Sequence, residues 1–90
     1  MSTARIAAIR ARLEAAFAPA QIDIIDDSAR HAGHAGARDG RGHFKVHIVS
    51  AAFAGMPPLA RHRAVYTALG ELMQTDIHAL QIEALPPAHG

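Results

Sequence analysis

The sequence predicts one small α+β domain with element order α-β-β-α-β, its three-stranded mixed sheet carrying the helices packed on one face. Three observations predict it. Apolar residues recur at helical spacing over residues 6–17 and again over 59–73. "HFKVHIVS" (43–50) alternates more cleanly than the strand before it, as a half-buried strand does. A helical stretch separates that strand from a second apolar run, "IHALQIEAL" (77–85), which is the pattern of a βαβ unit.

The elements follow in order. Ile6, Ile9, Leu13, Ala16 and Phe17 form one stripe, with Arg5, Arg10, Arg12 and Glu14 off it; Ser2 or Thr3 opens this helix and Pro19 ends it. In "QIDIIDD" (21–27), Ile22 and Ile24 share one side of a short strand. In "HFKVHIVS", Phe44, Val46 and Ile48 face one way and His43, Lys45 and His47 the other, so the two strands read as an antiparallel hairpin. The connection between them, longer than the two to five residues usual in hairpins, is of the length class associated with function or disorder. Pro57 and Pro58 suit a helix start, where a missing N–H costs nothing. The helix is expected to run to about Gln74, with Leu59, His62, Val65 or Tyr66, Leu69, and Leu72 or Met73 inside. Gly70 is expected to weaken it by roughly 1 kcal/mol relative to Ala. In the last strand His78, Leu80 and Ile82 share parity. Residues 1–90 read as a single domain with its core over 3–85 and a short tail, 86–90, without helical pattern.

Composition narrows the function classes. Half of the 90 residues are apolar, and with only Phe17, Phe44, Phe53 and Tyr66 as aromatics the core rests on Ile, Val, Leu and Ala. The absence of cysteine removes disulfides and any thiolate supplied by this chain, which fits a cytoplasmic protein. A formal charge of +1 argues against a strong nonspecific nucleic-acid binder. No stretch approaches the ~20 apolar residues of a membrane span. Arg5, Arg10 and Arg12 interrupt any signal-peptide core, so no export is expected.

The chemistry-bearing stretch is "SARHAGHAGARDGRGH" (28–43), with His31, His34 and His43 among four glycines. Its placement follows from the crossover. Roughly 17 helical residues at ~1.5 Å each span ~25 Å, and seven strand residues at ~3.3 Å span ~23 Å. The helix therefore returns the chain to the level where the second strand began, and the last strand lies parallel to it. His78, His43, His31 and His34 are thereby brought to one end of the sheet. Neutral imidazole is a borderline-soft metal ligand. Two or three imidazoles without carboxylate or thiolate make a half-site that another molecule must complete. Histidine also replaces cysteine on one iron of some 2Fe–2S centres. The plainer reading is a set of solvated loop side chains, with His78 satisfied by backbone at a strand end.

From His43 onward, "HFKVHIVSAAFAGMPPLARHRAVYTALGELMQTDIHALQIEAL" closely resembles the BolA family. The motifs are the strand "HFKVHIVS", the "FAG" turn, "RHRAVY" entering the helix and "IHAL" opening the last strand, with "DSARHAGHAG" similar to the family's loop after the first strand. The resemblance covers roughly residues 3 to 85. It implies a type II KH-like fold. It also implies pairing with a monothiol glutaredoxin and a shared, bridging 2Fe–2S cluster, so the isolated chain is expected to hold no cofactor and to be a monomer or weak homodimer. The glutaredoxin brings a cysteine, glutathione its thiol, and the BolA-like side histidines. The family's invariant histidine matches His78; the variable second ligand matches His31 best through the "DSxxH" spacing, with His34 a close competitor. The tail "PPAHG" stops short of the further helix that the family often carries.

Two other classes compete. Family members have been described as transcriptional regulators of stress or morphology, and KH-like folds commonly bind nucleic acid. Arg61 and Arg63 flank the inner stripe at the helix start, exposed and able to contact phosphates, with Lys45 on the sheet; His62 falls on the apolar stripe as a core histidine. Gly33-His34-Ala35-Gly36 has the letters of the KH GxxG clamp but sits between strands, and base-stacking aromatics are scarce. An enzyme is not expected: no serine or aspartate makes a triad with a histidine, and the adjacent Asp26 and Asp27 point to opposite sides of a strand.

Overall fold

The computed structural model describes residues 2–27 and 42–88. The elements are α1 (Ser2–Phe17), β1 (Ala20–Asp26), β2 (Gly42–Ser50), α2 (Pro58–Leu69), α3 (Leu72–Thr75) and β3 (Ile77–Leu85), with one 3-10 turn at Ala51–Phe53. The sheet order is β1-β2-β3, so β2 is central. It runs antiparallel to β1, with Ile22 opposite Ile48, and parallel to β3, with Val46 opposite Ile82. The hairpin and the crossover expected from alternation and helix length are thus both present.

Alternation sets the two faces. Phe44, Val46, Ile48 and Ser50 are buried beneath the helices, while His43, Lys45, His47 and Val49 occupy the other, uncovered face. The core joins Ile9, Leu13 and Phe17 of α1 to Phe44, Val46 and Ile48 of β2 and to Val65 and Leu69 of α2. Phe53, wholly buried, packs against Phe17 with ring centroids 4.8 Å apart. Ser50 ties the corner together: its hydroxyl donates to Phe17 O and accepts from Ala52 N–H.

Two of the three arginines of α1 reach backbone carbonyls. Arg10 Nη1 donates to Ile22 O at 2.9 Å, and Arg12 Nη1 to Leu69 O at 3.2 Å. The second places a guanidinium on the last carbonyls of α2, where positive charge is favoured.

Several expectations need correction. Ala16 is exposed, because Ile9, Leu13 and Phe17 already fill the space above the sheet. The second helix does not run to Gln74. Gly70, at φ 56°, ends α2 after Leu69, and the short α3 follows. Its buried face is also rotated from the expected stripe: Leu59 is 61% exposed and His62 is exposed, whereas Ala64 and Ala68 sit partly buried beside Val65 and Leu69. The cause is Arg61. Its Nε donates to Met56 O at 2.9 Å and its Nη1 to Ala84 O at 2.8 Å, so the Arg61 side of the helix faces β3 while His62 is exposed.

Candidate functional site

The entry to β3 must solve a parity conflict. Ile77 belongs inside, and so do Leu80, Ile82 and Ala84, yet Ile77 is odd-numbered and the others even. Strict alternation cannot bury both sets. The structure resolves this with one extra residue: Gly42 pairs with Ile77 and His43 with Ala79, leaving His78 as the inserted residue of a β-bulge. His78 and Ala79 are both exposed, and the inward rhythm resumes at Leu80. The expected shared parity of His78 with Leu80 and Ile82 is therefore wrong.

The bulge aims His78 at β2. Its ring centroid lies 5.1 Å from that of His43, with the rings tilted by 50°. His43 is half-buried, with its Nε2 shielded from solvent. Beside the pair, Asp27, Lys45, Ala79 and Gln81 border a shallow depression. His43, which the family resemblance does not assign as a ligand, is thus the imidazole set against His78. The signal for it was the alternation of "HFKVHIVS", which puts His43 on the uncovered face at the first level of β2.

Asp76 fixes the entry. Its carbonyl accepts from Gly42 N–H at 2.9 Å and its N–H caps Leu72 O at 2.9 Å. Its carboxylate accepts from the Thr75 hydroxyl and, at 3.3 Å, from Arg5 Nε of α1. The Thr75 hydrogen bond holds the Asp76 carboxyl below its usual range against the opposing effect of burial, with Arg5 adding its bond and charge. Further along the uncovered face, Asp23, His47 and Glu83 form one row across the three strands, and His47 Nδ1 meets Glu83 Oε1.

His31 and His34, the loop ligands suggested by the resemblance, lie outside the described residues, as does Gly33-His34-Ala35-Gly36. Among the described residues, no group of three or more His, Cys, Asp or Glu comes together to hold a metal ion. Among the described residues, the paired donors at this end of the sheet are the two imidazoles of His43 and His78, with the Asp27 carboxylate at the rim of the depression. That suits a cluster whose sulfur ligands arrive on another molecule, and it is insufficient for a closed structural site.

The residues of the nucleic-acid reading do not converge. Arg61 is half-buried and engaged with two carbonyls rather than exposed. Arg63 is exposed on α2, and Lys45 lies on the opposite face of the sheet, between Ile25 and Gln81. Among the described residues no helix is long and apolar enough to cross a membrane.

Comparison with known proteins bears on this arrangement. The model of the BolA-like protein family matches residues 13–89. BolA-like protein 1 of Mus musculus is 46% identical over 82 residues, a stretch that covers 91% of this chain and 58% of that protein. The DNA-binding transcriptional regulator BolA of Escherichia coli is 42% identical over 74 residues, covering 82% of this chain and 68% of the regulator. Among solved structures, the BolA domain of SufE1 from Arabidopsis thaliana superposes with a TM-score of 0.79 at 38% identity, covering 92% of each chain. A match that starts in α1 and continues past β3, over the same span in which the hairpin and bulged crossover were found, makes this chain a member of the BolA family.

Proposed function

We propose that this chain is an accessory protein, not an enzyme, that binds a monothiol glutaredoxin and co-ligates a bridging 2Fe–2S cluster in iron–sulfur trafficking or iron homeostasis. The observation that carries the reading is the bulge that lifts His78 out of the strand's alternation and sets it beside His43. His78 is the ligand from the sheet. The second comes from the loop, His31 ahead of His34, and the partner and glutathione supply sulfur. The cluster is cargo held between two proteins. The chain works in the cytoplasm, where the partner's cysteine stays reduced. Coordination needs neutral imidazole, so acid weakens the assembly.

The test is anaerobic co-purification of the chain with a monothiol glutaredoxin and glutathione. A coloured 1:1 species is expected, and His78→Ala should change its visible absorption and circular dichroism. An unchanged spectrum removes His78 from the site.

The second reading, a DNA-binding transcriptional regulator, is favoured by the similarity to the Escherichia coli regulator BolA. With Arg61 engaged by Met56 and Ala84, this reading falls on Arg63 and Lys45. Arg63→Ala with Lys45→Ala should then weaken DNA binding and flatten its salt dependence; binding that persists unchanged counts against it.

A further inference from the structure

The fold holds His43 and His78 with different firmness. His43 opens the central strand and is fastened on both sides: its carbonyl accepts from Asp27 N–H at 2.7 Å, and it pairs with Ala79 of β3. Its side chain is half-buried, with Nε2 shielded from solvent. His78 is the inserted residue of a bulge on an outer strand, and its side chain is exposed. An exposed imidazole samples several rotamers, and fixing it in a coordinating geometry costs side-chain entropy. A rigid neighbour that removes the unproductive rotamers beforehand lowers that cost.

Ala79, directly across from His43, carries only a methyl group. Neighbouring strands lie about 4.8 Å apart, so a large side chain at this position would fill the space beside the His43 ring. With a methyl there, the His78 ring approaches instead, its centroid 5.1 Å from that of His43 at a tilt of 50°. That separation falls within the roughly 4.5–7 Å of ring pairs in contact.

We infer that His43 is a positioning residue for His78: its ring, held by the central strand, restricts the rotamers of the exposed imidazole before a cluster arrives, and Ala79 keeps the contact open. The inference rests on His78 as the sheet's ligand and deepens that reading. Position 43 supplies the shape of a ring and no bond to metal. A ring without nitrogen should therefore serve there, and an imidazole kept apart from His78 should not.

Two measurements on the full chain test this. Three-bond couplings of His78 in the chain alone give its χ1 populations. Visible circular dichroism reads the 2Fe–2S complex with a monothiol glutaredoxin and glutathione. In the parent, one χ1 rotamer of His78 is expected to dominate. His43→Phe should keep that rotamer and the parent's dichroism. His43→Ala and Ala79→Leu should each average the rotamers and lower the dichroism several-fold, the second with every imidazole still present. His43→Gln takes the place of His43→Ala where the smaller side chain unfolds the protein, which the same spectra reveal. An averaged His78 in the parent overturns the inference, as does a rotamer indifferent to His43→Ala and Ala79→Leu, or dichroism indifferent to a freed ring. A His43→Phe that frees the rotamer also overturns it. One that holds the rotamer but loses the cluster makes His43 a ligand and overturns positioning equally. A parent that forms no coloured complex sinks the cluster reading alone, because the couplings of the isolated chain still decide whether His43 holds His78.

Discussion

At the scale of single residues, polar side chains hold the ends of the elements while the apolar ones fill the middle. Asp76 is the clearest case, because its backbone pairs with Gly42 and its carboxylate joins Thr75 to Arg5. A carboxyl held below its usual value of 3.8 stabilises the fold above that pH, and the contribution is lost as pH falls through the lowered value. Asp76→Asn should therefore cost about 0.5–1 kcal/mol at neutral pH, the range of a partly exposed ion pair. The difference from the parent should shrink below about pH 4, where carboxylates ordinarily begin to protonate. Urea unfolding at several pH values measures both effects. Arg61 shows what residue type alone hides. Two arginines near a helix start read equally as phosphate contacts, and only the positions of the Met56 and Ala84 carbonyls assign Arg61 to the fold.

At the scale of elements, the strands and most helix ends were legible, and the end of the second helix was not. "HFKVHIVS" alternates cleanly from His43 to Ile48, and β2 buries the expected residues. The last strand has the expected bounds, Ile77–Leu85, but its bulge was missed. The clue was present as a conflict of parity between Ile77 and the Leu80, Ile82, Ala84 set, and it requires knowing that both sets are buried. Gly70 is the opposite lesson. Read as an interior helix residue, its replacement by Ala would strengthen the helix. At φ 56° it terminates α2, and a Cβ there would lie 3.2 Å from Arg12 Nη1. Gly70→Ala should thus destabilise the fold by about 1–3 kcal/mol, the usual cost of forcing a side chain into a sparsely populated backbone region. Thermal unfolding of the two proteins decides the sign.

At the scale of the whole molecule, two helices and a short third cover one face of a three-stranded sheet, and one core serves all of them. Phe53 closes that core at the corner where β2 turns toward α2. Phe53→Ala should cost about 3–5 kcal/mol, against a total stability of roughly 5–13 kcal/mol for a chain of this size. A large drop in the urea midpoint, with the unfolding slope preserved, is the expected result. The end of the sheet where His43 and His78 meet was legible from the strand–helix–strand order, although α2, at 12 residues, is shorter than the helix expected. The pairing of His78 with His43 was less so, since ring placement depends on the bulge.

That bulge also separates chemistry from architecture. An inserted, outward-facing residue fills no cavity when shortened, so trimming position 78 to a methyl should leave the melting temperature where it was. The protein can lose the proposed ligand and remain itself, and a silent thermogram beside an altered spectrum would be the signature.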